Sequence, residues 1–443
     1  MSDLRAYLLC RFAESSGIYS SWMDEAPLPT TIVDEYLPDW HVPADAGILI
    51  THMHYRWEEL TTLRKLLAQN RIPILILSDG ILEYRNTWEH AGLADGSIFQ
   101  PLFGHKLACI GRGQARVVES WGNVGKCELV GLPRLDSVDL KSVLPVQNSG
   151  PFRILIATAK APAFNQQQRN SVVESLNQVK RWISNHPTVD DRPIEVHWRL
   201  SDGLESEIGV GPDIDLEDRP PLARVLENVD AVITTPSTLY LESVLCKRPT
   251  AILDFHNRPQ YVPAAWTISA PDHLDWIVPE LAAPPRPKML FQESVLQDQL
   301  ECRSPAKPRM LELISQMVAA GKQARLERTA IKLPPRMLTD PQHGFTRVPA
   351  EFDLSALYAN NSVFENHDLN RLQIELIAAV ERMRQLPLEL AEKNKYIETL
   401  QKLLDRSRLR VEDMHNRVVA IRKRFGVEPA KPKVNGPDIV DDE

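Results

Sequence analysis

The chain reads as an α/β protein with two parallel-sheet domains in tandem, followed by an α-helical coiled coil. Three observations predict this. Short apolar runs alternate with helix-length stretches up to residue 133, and the rhythm restarts at residue 152 after a polar break. Finally, apolar residues in steps of three and four run from Leu369 to Phe425. Strands alternating with helices imply βαβ units and parallel pairing, whereas an apolar repeat of about 3.5 positions marks a supercoiling helix. At 443 residues there is room for several domains with sizeable cores.

The first domain is expected over 1–147. Its buried strands are "AYLLCRF" (6–12), "AGILITH" (46–52), "IPILILSDG" (72–80), "HKLACIG" (105–111) and "CELVGLP" (127–133), with helices in stretches such as 57–70 and 114–121. A polar link over 137–151 leads into a second domain, 148–328. There "FRILIATA" (152–159) and "IEVHWRL" (194–200) predict strands, and 166–185 and 221–228 predict helices. The segment "DAVITTPSTLYLESVLCKRPTAIL" (230–253) adds a strand, a helix and a strand, and a helix at about 308–328 is expected to close this domain. Residues 329–365, rich in Pro, Asn and polar side chains, are expected to be a linker. The coiled coil is expected over 366–426 and a disordered tail over 427–443.

Composition limits the function. A net charge of −8 argues against a general nucleic-acid binder, which needs basic surface to release counterions. The five cysteines are scattered without a CxxC pair, so neither a disulfide framework nor a zinc site is expected, and the protein is expected to be reduced and cytoplasmic. The N-terminus lacks a signal pattern, and no apolar run approaches the ~20 residues that span a bilayer.

The segment 230–253 raises a chemical question, because a hydroxyl-rich "TTPST" stands between strand and helix. In an open α/β sheet, ligands sit beyond the carboxyl ends of the strands. Thr235 suits an N-cap and Pro236 the first helical position, which would leave backbone N–H groups free to meet a phosphate. Ser237 and Thr238 would add hydroxyls. Glu242, four residues after Thr238, lies on the same helical face and could accept bonds from ribose or sugar hydroxyls. A well-capped helix with a solvated Glu fits the same residues, and the residues alone leave both readings open.

This segment resembles the donor-binding part of GT-B-fold glycosyltransferases. "WGNVGKCELVGLPRLD" (121–136) is similar to the segment ending the first domain in such enzymes and in CDP-glycerol phosphotransferases, and "SPAKPRMLELISQM" (304–317) resembles their terminal helix. The order of parts matches over about 45–320. Cys246 stands where a Gly commonly precedes the basic–Pro turn, and Leu132 where one version of the motif has Asn. The resemblance implies two Rossmann-like domains and transfer of a sugar from a nucleotide-activated donor to a cell-surface polysaccharide or glycolipid. Ser237, Thr238 and Glu242 would then hold the donor's diphosphate and ribose without a metal or other cofactor. A cation would offset the diphosphate, with Arg199 the leading candidate ahead of Lys160. The alternatives are a CDP-glycerol-type phosphotransferase and an inactive GT-B-like scaffold that acts through its coiled coil.

The first domain should supply the general base. Asp79, at the end of a strand, is the first candidate and His54 the second; His52 lies on the same face as His54. His-x-His could instead be half a metal site, but no matching ligand pair declares itself. The Asp-x-Asp at 212–215 reads as a solvated acidic loop and "GRGQAR" (111–116) as a tight turn, since the third Gly of a dinucleotide fingerprint is missing.

In the coiled-coil segment only Lys393 and Ser407 interrupt the stripe, while Pro387 argues against one uninterrupted rod. Self-association into a homo-oligomer is the simplest way to cover the stripe. Arginines 406, 408, 410, 417, 422 and 424 could rest on anionic lipid at the inner face of a membrane, where a lipid-linked acceptor would lie.

Overall fold

A computed structural model describes residues 4–10, 18–33, 40–52, 57–90, 98–137, 150–211, 219–339, 367–424 and 426. The chain forms two compact units, Met1–Phe345 and Thr346–Glu443.

The first unit holds two six-stranded sheets. In the first, β1 (Arg5–Leu9), β2 (Thr30–Val33), β3 (Ala46–Thr51), β4 (Ile74–Leu77), β5 (Lys106–Cys109) and β6 (Cys127–Leu129) run parallel in the order β2-β1-β3-β4-β5-β6. The second sheet contains β7 (Phe152–Ala157), β8 (Thr188–Val189), β9 (Arg192–Arg199), β10 (Ala231–Thr234), β11 (Thr250–Leu253) and β12 (Trp266–Ile268). Its order is β12-β11-β10-β7-β9-β8, all parallel except the short β8. Every residue of β3, β4, β5, β10 and β11 is buried, as expected of strands covered on both faces. Helices Trp57–Gln69, Arg112–Ser120, Gln166–Asn185 and Leu222–Glu227 fall within a residue or two of the predicted stretches.

The helix Ala306–Glu327 departs from expectation. It was to close the second sheet, yet Met310, Leu313, Ile314, Met317 and Val318 pack on Leu8, Ile48, Ile50 and Leu75 of the first. Asp136 explains the return. Its carboxylate accepts hydrogen bonds from the main-chain N–H of Ala306 (2.8 Å) and Lys307 (2.7 Å), capping that helix from the end of the first sheet. The residues after the helix stay on this sheet too. Ile331 and Leu338 are buried, and the Lys106–Glu128 pair (2.7 Å, side chains 1% and 2% exposed) clamps the strip. Lys106 Nζ donates to the carbonyls of Pro334 and Pro335, and Glu128 accepts from the N–H of Met337 and Leu338.

"GRG" at 111–113 also gains a structural reason. A Cβ on Gly111 would lie 2.3 Å from the main chain of Gln299, and one on Gly113 would lie 2.2 Å from the Gln299 side chain. These glycines admit the end of the helix Arg286–Gln299 against the start of Arg112–Ser120.

The second unit contains one 58-residue helix, His367–Arg424, which continues through Pro387. From Lys393 to Arg424 every side chain is exposed, including Ile397, Leu400, Leu404, Val411, Met414 and Val418 of the stripe. Among the described residues, no helix is long and apolar enough to cross a membrane.

Candidate functional site

In the second sheet the strand order reverses between β7 and β10, so their carboxyl ends flank a crevice where α/β sheets bind ligands. The "TTPST" residues leave β10 into this crevice. Thr235 does not cap a helix: the helix Leu239–Leu245 begins four residues later, with Thr238 at its N-cap and no capping side-chain bond. Thr235 is fully buried, and its Oγ1 accepts from the N–H of Ala159 at 2.8 Å, joining the loops after β7 and β10. Ser237 Oγ lies 3.3 Å from Thr234 Oγ1.

Thr238 reaches across to the first sheet. Its Oγ1 accepts from the N–H of Ile81 at 3.1 Å, and it approaches Gly80 so closely that a Cβ there would lie 2.1 Å from this oxygen. Glu242 also faces the first sheet. Arg134, in the "GLPRLD" segment, donates from Nη2 to Glu242 Oε1 at 3.0 Å and from Nη1 to the Asp79 carbonyl at 2.9 Å. The main chain at Asp79-Gly80, Arg134, Thr238 and Glu242 therefore converge at the carboxyl ends of β4, β6 and β10.

Arg199 lies near. Burial and neighbouring Arg219 lower its pKa, while Glu205 and Glu242 oppose that shift, so it is electrostatically coupled to Glu242. It donates to the Pro220 carbonyl at 3.0 Å. Asp79 is exposed, and its carboxylate makes no hydrogen bond or ion pair among the described residues. Lys160 is exposed at the end of β7. His54 and the Asp-x-Asp at 212–215 lie outside the described residues, while His52 Nδ1 is paired with the buried Tyr19 hydroxyl at 2.9 Å.

A second cluster lies beside the first, and sequence reasoning missed its Asp254 and His256. Glu83 and Arg85 follow β4, and Asp254 and His256 follow β11. Arg85, only 2% exposed, opens a π-helical turn, Arg85–Glu89, and its Nε donates to Glu83 Oε1 at 2.6 Å. Such wide turns recur at functional sites. Asp254, 4% exposed, accepts the His256 N–H at 3.1 Å. Burial raises the Asp254 pKa and Arg85 opposes the rise; for His256, burial and then Arg85 lower it. The available signal was "DFH" directly after the apolar run of β11.

Pro236, Ile81, Glu83, Tyr84, Asp254 and Tyr261 line the groove between the clusters, whose cavity of about 10 Å³ has room for about one water. Aromatic rings close its rim. Trp88 Nε1 donates to the Tyr261 hydroxyl at 2.6 Å, and Trp121 packs edge-on to both rings. A larger cavity, about 280 Å³, opens at the amino ends of β5 and β6, against His105, Lys126 and Pro335. It is remote from the carboxyl ends, and the convergence of charged groups there is the better guide to chemistry. Among the described residues, no cluster of three or more His, Cys, Asp or Glu is placed to hold a metal ion.

These features define a GT-B-like fold: two Rossmann-like sheets facing one another across a groove at their carboxyl ends. Among solved structures, S. aureus MnaA with UDP is similar at a TM-score of 0.50 and 10% identity, over 71% of this chain and 97% of that one. The wall teichoic acid polymerase TagF matches at 0.47 and 11%, over 73% and 90%. A putative UDP-N-acetylglucosamine 2-epimerase from Listeria monocytogenes matches at 0.46 and 10%, over 78% and 100%. No family model and no curated protein matches the chain.

Proposed function

We propose that this protein is a glycosyltransferase that moves a sugar from a nucleotide-activated donor to a cell-surface polysaccharide or glycolipid. The observation that carries this reading is the meeting of Arg134 and Glu242 across the groove, with the Thr238 hydroxyl beside them and Arg199 in electrostatic range. Guanidinium groups suit a diphosphate because they offer bidentate, permanently charged donors. Fixed cations facing a departing nucleotide diphosphate stabilise the charge that develops as its bond breaks. Glu242 then orients Arg134 and offers its second oxygen to ribose or sugar hydroxyls. In this reading arginines rather than a metal or another cofactor offset the leaving-group charge. The similarity to MnaA bound to UDP agrees with a nucleotide ligand.

One observation favours a second reading. Arg134 belongs to the segment similar to CDP-glycerol phosphotransferases, so a CDP-glycerol donor is the alternative. We further propose a cytoplasmic protein that self-associates through the His367–Arg424 helix, with that helix's arginines meeting anionic lipid near a lipid-linked acceptor.

The test is a panel of nucleoside diphosphates, nucleotide sugars and CDP-glycerol, read by melting temperature and by turnover. A ligand at 100 times its Kd adds about 2.7 kcal/mol of stability, an easily measured shift. Nucleotide-sugar turnover supports the first reading and CDP-glycerol turnover the second. No shift and no turnover with any donor would leave an inactive scaffold.

A further inference from the structure

Arg85 and Asp254 are almost fully buried and carry ionisable groups from opposite sheets to one seam, where His256 joins them. Burying such groups is costly, and clusters of this kind concentrate at functional sites. His256 Nε2 is buried with no hydrogen-bond partner, although most buried polar atoms have one. We propose that His256 is the base that removes the proton from the acceptor hydroxyl, with Asp254 and Arg85 as its positioning residues. This rests on the transferase reading above.

Three observations support the assignment. Asp254 is the first residue past β11 and lines the groove with Glu83, Pro236 and Tyr84, two residues before His256 and beside the place where a donor held near Thr238 and Glu242 would extend. The Asp254 carboxylate holds the His256 N–H and fixes the turn that carries the ring. The charged groups around the ring are Arg85 and Arg258, which favour neutral imidazole, and Glu83 and Glu89, which oppose them; burial adds to the arginines. A neutral imidazole with its proton on Nδ1 has its lone pair on Nε2, the free nitrogen. Two other groups are placed less well: the Asp79 carboxylate stands in solvent, and His52 is engaged by Tyr19.

The step balances. Nε2 takes the acceptor proton as the acceptor oxygen bonds to the anomeric carbon of the donor. The bond from that carbon to the diphosphate oxygen breaks, and its electron pair leaves with the nucleoside diphosphate toward Arg134 and Arg199. His256 then releases its proton to water. The groove must open first, because its present cavity of about 10 Å³ excludes a sugar.

The experiment uses the full chain. UDP and CDP binding is measured by calorimetry, and nucleotide release from a donor panel is followed in wild type, His256→Gln and His256→Ala. Expected are nucleotide affinities within threefold of wild type, kcat/KM reduced ~10²–10⁴-fold, and partial rescue of His256→Ala by added imidazole. The wild-type pH profile should lose rate on the acid side, with its limb displaced below the ordinary imidazole value because burial and Arg85 lower the His256 pKa, and His256→Gln should lack that limb. An active His256→Gln enzyme within threefold of wild type overturns the assignment alone. So does joint loss of nucleotide binding and turnover, which indicates a structural role. A wild type that neither binds nor turns over any donor overturns the transferase reading and this assignment with it.

Discussion

Arg134 Nη2 sits 3.0 Å from Glu242 Oε1, so the carboxylate expected to await a ligand is already answered by a guanidinium from the opposite sheet. The side chains are 32% and 16% exposed, and a pair this close to water contributes roughly 0–1 kcal/mol to stability. Its value is therefore positional. Glu242→Ala and Arg134→Met should each unfold near the wild-type denaturant midpoint but bind the preferred nucleotide at least tenfold more weakly by calorimetry. Unchanged affinity in both variants would remove this pair from the ligand site.

Thr235 should behave in the opposite way. Thr235→Val keeps the shape but removes the acceptor of the half-buried Ala159 N–H, and an unsatisfied donor there costs up to about 1–3 kcal/mol. Urea unfolding should show that loss, and nucleotide affinity in the folded protein should stay within a few-fold of wild type. A variant of normal stability that binds nucleotide poorly would return Thr235 to the ligand.

Lys106 and Glu128 make a comparable prediction for the other end of the first sheet. Truncating one member of a buried pair strands the other charge, at about 3–5 kcal/mol. Glu128→Ala should therefore lower the unfolding midpoint strongly. It should also expose the strip around Leu338, whose N–H the carboxylate holds, to limited proteolysis before the rest of the unit is cut. Wild-type resistance at that strip would count against the clamp.

His105 supplies a pH dependence. Its Nδ1 accepts from the Ile74 N–H and its Nε2 meets Asn70 Oδ1, an arrangement that suits the neutral ring. Burial, with Lys126 adding to it, pushes its pKa from 6.5 down to about 4. The unfolded chain then binds the proton first as pH falls. Stability is complete above pH 6.5 and is lost progressively toward pH 4, by roughly 3 kcal/mol at 1.36 per pH unit. Urea midpoints across this window should slope less in His105→Gln than in wild type, and equal slopes would rule out His105 as the source.

The exposed stripe of the C-terminal helix predicts assembly. Full-length protein should scatter light as a dimer or trimer, with Lys393 and Ser407 fixing register at core positions. A chain ending near Ala350 should be monomeric and still bind nucleotide. A monomeric full-length protein would show that the stripe does not self-associate.

Much of the fold could be read from the sequence because buried parallel strands are continuous apolar runs; β4 and β11 are plain examples. Half-buried edge strands lack that contrast, so β2, with Thr-Thr-Ile-Val in intermediate burial, went unseen. An amphipathic pattern shows that the helix Ala306–Glu327 must bury a face but not which sheet it covers. The hydroxyl cluster was recognised while its partners were not. Thr235 prefers the Ala159 N–H, 76 positions away, to a local cap, and Glu242 meets Arg134 across 108 positions. His256 gave no local signal beyond its place after a strand, because its interest comes from Arg85 on the other sheet.

The Asp136 cap has a consequence for the order in which the molecule is made. Its partner N–H groups lie 170 and 171 positions further on. One face of the first sheet therefore cannot be covered until the whole second sheet has left the ribosome, a delay of roughly 10 to 30 s at about 5–20 residues per second. During that interval Leu8, Ile48, Ile50 and Leu75 lack the cover of Met310, Leu313, Ile314 and Met317. The nascent amino-terminal half is thus the stage of this protein's life most in need of a chaperone.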